Sequence, residues 1–446
     1  MTKTATRWIP ISLALAWLAA LPAPCQEAKA AALDAAQKQA IVDEVSQLLN
    51  KYYVFAETAK KMEELVRSRL ASGAYDKFSD PAAFAQAVHL DLAAVSKDKH
   101  LRFQYAPEMA AGIKRFQSRN QDEVRAAQER RLQSARHDDF GFRRVERLPG
   151  NIGYLDFRMF ASADQAGPTA IAALNFLAYC DALIIDLRQN GGGDPSQIQL
   201  MCSYFFDEPT HLNDLYNRSE DKTENYWTLP YVPGPKPVKA DIYVLTSTGT
   251  FSGAEEFSYN LKNLKRATLI GETTGGGAHP TETRIVQDKY VLGVPFARAV
   301  NPISKTNWEG TGVTPDIQVP APQAFDLAYG MAVEKLAAKA SDPDRKAEYE
   351  WILVAQKAKQ SPVHIDDKTL KSYAGEYGER KVFYEKGSLT YQRTGPRYRL
   401  IPLTATIFAV EGLDYFRVEF EVKDGKVTGL VGLYDDGERQ SSPRTK

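Results

Sequence analysis

The spacing of hydrophobic positions changes character along the chain. Up to about residue 95 it has the period of helices. "QKQAIVDEVSQLLNKYYV" puts Ile41, Val45, Leu48 and Leu49 on one face. "AETAKKMEELVRSRLAS" and "DPAAFAQAVHLDLAAVS" repeat the pattern, the latter with Asp80 as N-cap before Pro81. Residues 108–137 are rich in Arg, Gln and Glu with few large apolar residues, which predicts an exposed helix or a linking arm. From 150 onward the apolar runs are short and β-rich: "NIGYLDF", "ALIIDLR", "DIYVLTS" and "ATLIGET". Helical stretches such as "ADQAGPTAIAALNFLAY" and "SGAEEFSYNLKNL" separate them, and that alternation predicts an α/β core. "TRIVQDKYVLGVPFARAV" reads as a hairpin turning near Asp288-Lys289, and residues 322–359 return to helix. The last stretch alternates strictly between Gly-containing turns, with Asp424-Gly425 at one of them, and predicts a small antiparallel β domain.

These shifts divide the 446 residues into an N-terminal helical domain (31–105), a charged connecting arm (106–148), an α/β core (149–342), a helix and linker (343–361) and a C-terminal β domain (362–446). Hydrophobic content of 43% and charged content of 25% are those of a globular protein. A formal net charge of zero gives no field that favours nucleic acid or an anionic membrane surface. Residues 1–30 have the layout of a secretory signal peptide. Lys3 and Arg7 come first, an apolar run from Trp8 to about Leu21 follows, and Ala28-Lys29-Ala30 offers a cleavage site. The run is shorter than the roughly 20 residues that span a bilayer. Cys25 raises a lipoprotein reading, which Pro24 before it fits poorly. The expectation is an exported protein, periplasmic or secreted, with no stable membrane span. Cys180 and Cys202 lie in apolar segments and read as buried thiols; a disulfide is not forced.

Five stretches carry chemistry. In "TFSGAEEF" Ser252 follows a strand and opens a helix, so it is either a helix cap, in a capping box with Glu255, or an exposed nucleophile with the Gly253 N–H free for an oxyanion. "IDLRQNGGGDP" ends a strand in three glycines whose N–H groups can face a ligand; it has neither the phosphate-loop nor the dinucleotide spacing. "GETTGGGAHP" is a second glycine turn and holds His279, read as solvated or substrate-contacting. "SKDKHLRF" places His100 at the end of a polar turn, and "NWEGTGVTPDI" places Glu309 in a loop. Taken singly, His100 reads as structural and Glu309 as a surface carboxylate. The six His are scattered, no H-E-x-x-H or Cys pair occurs, and no metal or cofactor is expected.

Taken in order, "LIIDLRQNGGG", "LTSTGTFSGAEEF", "LIGETTGGGAHP" and "EGTGVTPDI" resemble the tail-specific (C-terminal processing) serine peptidases, with the interphotoreceptor retinoid-binding protein and the tricorn core protease. The resemblance covers about residues 33–340. It implies a crotonase/ClpP-like spiral β-α core between the N-terminal helical domain and the C-terminal β domain. The tail-specific branch uses a Ser–Lys dyad, but Gly277 stands at the lysine's place, and Lys262 and Lys265 come too early. The retinoid-binding and tricorn branch draws a His from before the core and a Glu from a late loop. That implies Ser252 as nucleophile, His100 as base and Glu309 in its charge relay, with an oxyanion hole from Gly253 and from Gly192 or Gly193. His279 and Gly277 would be substrate-contacting. An imidazole is a suitable proton acceptor near neutral pH, and a third polar group is needed to orient it.

Two departures accompany the resemblance. Lys99 precedes the His where tricorn-like members have a serine, so the relay either uses another hydroxyl, with Ser96 the candidate, or runs differently. The segment 105–148 is too short and charged for a PDZ domain. The implied activity is hydrolysis of peptides or unfolded protein segments through an acyl-enzyme; the alternative is a non-catalytic binding protein for apolar ligands or peptides on the same fold.

Overall fold

The computed structural model describes residues 31–446; the expected signal peptide lies outside the described residues. The chain forms two compact units. One comprises residues up to Glu146, Tyr154–Tyr179 and Ile185–Ala321; the other comprises Arg147–Gly153, Cys180–Ile184 and Pro322–Lys446.

The first unit opens with three helices, α1 (Ala35–Tyr52), α2 (Ala56–Ala71) and α3 (Pro81–Ser96). Asp34 and Asp80 cap α1 and α3 through their side chains, and Pro81 fills the first position of α3. The apolar faces expected from the period meet in one core: Ile41, Val45 and Leu49 with Met62, Val66, Phe84 and Val88. After α3, Lys97 turns left-handed (φ 54°) and the chain enters β1 (Arg102–Tyr105). The charged arm is two largely exposed helices, α4 (Pro107–Gln117) and α5 (Gln121–His137).

The core follows: β2 (Phe142–Leu148), β3 (Ile152–Phe157), α6 (Ala163–Phe176), β4 (Ala182–Asp186), α7 (Pro195–Cys202), β5 (His211–Asn217), β6 (Lys222–Trp227), β7 (Asp241–Thr246), α8 (Gly253–Asn263), β8 (Ala267–Gly271), β9 (Thr281–Val286), β10 (Tyr290–Pro295), β11 (Ala297–Val300) and β12 (Ile317–Gln318). The main sheet runs β12-β8-β7-β4-β3-β2, with β7–β8 and β8–β12 parallel. All five positions of β4 are buried, as its unbroken apolar run requires. The expected hairpin is β9–β10, and β1 joins it antiparallel, Phe103 opposite Leu292. Val286, Tyr290, Leu292 and Val294 of the hairpin belong to the same hydrophobic core as α1–α3. The N-terminal helices are therefore anchored to the core through β1, which delivers His100 to it.

The second unit carries α9 (Ala321–Lys339), of which all but the first residue falls in it, α10 (Pro343–Gln360) and α11 (Asp367–Tyr373). Eight strands follow, β13 (Gly375–Tyr377), β14 (Arg380–Glu385), β15 (Ser388–Gln392), β16 (Tyr398–Pro402), β17 (Ile407–Val410), β18 (Leu413–Lys423), β19 (Lys426–Tyr434) and β20 (Arg439–Pro443). They lie in sequential antiparallel order over a core that includes Tyr377, Phe408, Val418, Phe420 and Leu430. The protein thus has a helical N-terminal region, a mixed α/β core and a C-terminal antiparallel β domain, the class expected. Among the described residues no helix is long and apolar enough to cross a membrane. Cys180 and Cys202 are both buried and unpaired.

Candidate active site

Ser252 sits where β7 gives way to α8. Its backbone is left-handed (φ 52°, ψ −119°), a region that strains any residue with a side chain by roughly 1–3 kcal/mol. The capping partners resolve its two readings. Glu255 does reach back and takes the Ser252 N–H at 2.8 Å. The Glu255 N–H, however, goes to the Ser252 carbonyl at 2.8 Å. The hydroxyl makes no cap bond. The carboxylate and backbone make the cap bonds, and Ser252 Oγ, though placed as in a capping box, makes no side-chain cap hydrogen bond.

Glu255 also holds the second glycine turn. It is fully buried and accepts from Thr274 Oγ1, Gly276 N–H (2.6 Å) and Gly277 N–H (2.8 Å). Burial pushes its carboxyl above the usual range, against the pull of those hydrogen bonds. One side chain therefore ties the strained serine to the turn at 274–277. Its neighbour Glu256 faces the interior too, and burial raises it to about 7.

The "NGGG" turn lies directly against the serine turn. Phe251 N–H bonds Asn190 O at 3.1 Å, and Leu187 N–H bonds Leu245 O at 3.0 Å. Gly192 has φ +96°, and a Cβ there would stand 2.5 Å from Gly253 N. The buried Asn190 side chain locks the turn, accepting the Gly192 N–H at 2.9 Å and donating to Phe157 O at 3.0 Å. The Gly192 N–H is thus engaged, which removes it from the pair of expected donors. Gly193 and Gly253 keep theirs: a Cβ on Gly253 would be 2.9 Å from Gly193 N, so the two amides are neighbours.

His100 arrives from the N-terminal region. Its ring packs on that of Phe251, the residue before Ser252, with centroids 4.8 Å apart. Its Nδ1 lies 3.8 Å from Glu309 Oε2, an ion-pair distance rather than a hydrogen bond, and has no hydrogen-bond partner. Glu309 is fixed by backbone donors, Lys99 N–H to Oε1 at 2.9 Å and Ala278 N–H to Oε2 at 2.5 Å. Burial would raise its pKa, but His100, His279 and these two amides together lower it, so it is ionised at neutral pH. Its loop is tied to the glycine turn by buried Trp308, whose Nε1–H bonds Gly277 O at 2.8 Å.

Two further expectations change. Ser96 does not link His100 to Glu309; its Oγ accepts the Asp98 N–H at 3.3 Å. His279 is only 3% exposed, and its Nδ1 bonds Asp98 Oδ2 at 2.7 Å, so its imidazole is part of the wall and not a surface offered to substrate. Gly277 lies against His100 and Phe251. Lys262 is engaged elsewhere, with Thr314 O at 2.6 Å and Asp316 at 2.9 Å.

Sequence reasoning missed Asp98, Tyr53 and Asn190. Asp98 accepts the His100 N–H at 2.9 Å and the Tyr53 hydroxyl at 3.2 Å. Only its place two residues before His100 hinted at a role. Asp98, His279 and Glu309 bring three ligand-type atoms within 4.8 Å of one another, close enough for a divalent cation, yet each already has a hydrogen-bond partner in the protein. A cavity of about 370 Å³ lies on the Glu309 side, lined by Tyr53, Phe55, His279, Arg298 and Asn307 among others.

Residues 151–319 match the model for peptidase family S41, and residues 27–136 match that described as the N-terminal domain of Peptidase_S41 in eukaryotic IRBP. The chain belongs to peptidase family S41. It is similar to the chloroplastic carboxyl-terminal-processing peptidase 2 of Arabidopsis thaliana, 28% identical over 198 residues, 41% of this chain and 35% of that protein. It is also similar to the carboxy-terminal-processing protease of Bartonella bacilliformis, 26% identical over 193 residues, 41% of this chain and 43% of that protein. The matches thus span less than half the length of these relatives. Among solved structures, the photosystem II D1 C-terminal processing protease aligns with a TM-score of 0.41 at 16% identity, over 64% of this chain and 93% of that one. The tricorn protease aligns with a TM-score of 0.41 at 16% identity, over 67% of this chain and 37% of that one.

Proposed function

We propose that this member of family S41 is a serine peptidase in which Ser252 is the nucleophile, His100 its general base and Glu309 the carboxylate that orients and balances the imidazole. The observation that carries the reading is a strained Ser252 whose neighbour Phe251 packs on the His100 ring, with His100 in turn facing the part-buried Glu309 carboxylate, the three brought from segments far apart in the chain. A serine hydroxyl needs a neighbouring base to act as a nucleophile. His100 accepts the Oγ proton as Oγ bonds to the scissile carbonyl carbon. The carbonyl oxygen becomes an oxyanion, held by the Gly193 and Gly253 N–H groups. His100 then passes its proton to the leaving amine, and the C–N bond breaks to leave the acyl-enzyme. Water, deprotonated by His100, attacks that ester, and the proton returns to Ser252.

The relay is an ion pair from His100 Nδ1 to Glu309 Oε2, 3.8 Å apart, and among the described residues no hydroxyl is hydrogen-bonded between them. The lysine dyad is disfavoured because His100 and Phe251 occupy the space beside Gly277 that such a side chain would need. The substrate is a peptide or an unfolded protein segment. The layout of residues 1–30 supports export to the periplasm or beyond the cell. The test is hydrolysis of a casein-derived peptide mixture: the wild-type chain cleaves it, and Ser252→Ala, which leaves the Glu255 cap in place, does not. Cleavage by Ser252→Ala at the wild-type rate would defeat the assignment.

A further inference from the structure

Two imidazoles face one carboxylate oxygen. Glu309 Oε2 lies 3.8 Å from His100 Nδ1 and 3.6 Å from His279 Nδ1. An oxygen already holding the Ala278 N–H at 2.5 Å has little capacity left for both. What decides between them is Asp98. Its Oδ2 takes His279 Nδ1 at 2.7 Å, while its Oδ1 accepts the backbone N–H of His100 at 2.9 Å. Asp98 and His279 are both nearly closed to solvent, at 4% and 3% exposure, and each is held by the other. The Tyr53 hydroxyl lies 3.2 Å from Oδ2, and the Phe55 ring packs edge-on to His279 at 5.5 Å between centroids.

We propose that Asp98 is a positioning residue that holds His279 away from Glu309 and so reserves the relay carboxylate for His100. This rests on the Ser252–His100–Glu309 reading. Asp98 acts at two points, the main chain of the base and the ring of its rival. With Asp98 neutralised, His279 Nδ1 has a shift of well under 1 Å to make before it hydrogen-bonds Glu309, whose charge is then drawn from His100. His100 loses the group that stabilises its protonated form during attack, and turnover falls with little change in substrate binding.

The consequence is a rescue that a purely structural role does not produce. Asp98→Asn keeps an oxygen for the His100 N–H and is expected to lower kcat at least about tenfold, with KM within about twofold. His279→Leu removes the rival and is expected to retain most of the turnover. The double variant Asp98→Asn/His279→Leu is expected to recover to within about threefold of His279→Leu, a strong departure from additivity. Steady-state kinetics on one fluorogenic peptide reads all four proteins, with fluorophosphonate labelling rates as a second readout. If Asp98→Asn retains wild-type kcat, or if the double variant is as slow as or slower than Asp98→Asn, the proposal is overturned. Should His279→Leu not fold, His279→Phe, which also lacks a ring N–H, replaces it in both arms, and failure of both doubles to recover turnover counts against the proposal. Failure of the underlying reading is seen separately, as hydrolysis that survives in Ser252→Ala or His100→Ala.

Discussion

Gly277 and His100 touch so closely that no side chain fits between them. A Cβ at 277 would stand 2.4 Å from His100 Cε1 and 2.3 Å from Phe251 Cζ. The resemblance puts the tail-specific branch's lysine at this position, and here the His100 and Phe251 rings fill the space beside it. Gly277→Ala is expected to push the His100 ring from its place and to lower kcat by at least about tenfold, out of the hundred- to ten-thousandfold that a positioned base supplies. Gly277→Lys is expected to give no dyad and no labelling by a fluorophosphonate. Labelling of Gly277→Lys at the wild-type rate would show that His100 is dispensable.

Glu255 holds Ser252 and the glycine turn together with four hydrogen bonds. Glu255→Ala leaves buried donors unpaired and removes what opposes the backbone strain at Ser252. The expected loss of stability is about 3 kcal/mol, seen as a lower denaturant midpoint with an unchanged slope. Turnover should fall further than stability explains. A variant with wild-type turnover would mean that the strained serine needs no such tie.

Glu256 gives the stability a pH dependence of known sign. Burial raises its carboxyl from 4.5 to about 7, beside Asn213 and Asn260. The folded state favours the protonated form, so the penalty is absent below about 4.5 and complete above about 7. Stability is expected to fall by about 3 kcal/mol as pH rises through that window. Glu256→Gln should flatten this part of the profile and raise the melting temperature at pH 8. A Gln variant less stable than wild type at pH 8 would contradict the burial of an ionisable group at that place.

Asn190 fixes the turn that presents the Gly193 N–H. Asn190→Ala frees the Gly192 N–H and the Phe157 carbonyl inside the protein, at a cost of about 2 kcal/mol. It also lets the turn drift from the oxyanion position, where a lost donor costs roughly a hundredfold or more in kcat. Unchanged kcat in a folded Asn190→Ala would place the second donor elsewhere.

The elements that the sequence makes legible are those with a strong period and clear stops. Ile41, Val45 and Leu49 announce α1, the buried run at 182–186 announces β4, and Asp424-Gly425 marks the β18–β19 turn. The strands β5 and β6 carry polar residues such as Asn213, Asp214 and Glu224, and no alternation singles them out. Arg143, Arg144 and Glu146 hid β2 in the same way within the charged arm. In the proposed site, Ser252, His100 and Glu309 are singled out by their motifs. The burial of His279 and its bond to Asp98 are not, because they depend on β1 pairing with β10, a contact between segments nearly 190 residues apart. That the Gly192 N–H is taken by a side chain two residues away is likewise a fact of turn geometry, invisible in three consecutive glycines.

One measurement addresses both Ser252 as the proposed nucleophile and its activation by His100. The chain is treated with a fluorophosphonate, digested and mapped by mass spectrometry, in parallel with Ser252→Ala and His100→Ala. A single phosphonylated residue, Ser252, is expected in the wild type, with no adduct in Ser252→Ala and labelling slowed by at least about a hundredfold in His100→Ala. An adduct on a different serine, or His100→Ala labelled as fast as wild type, would contradict that assignment.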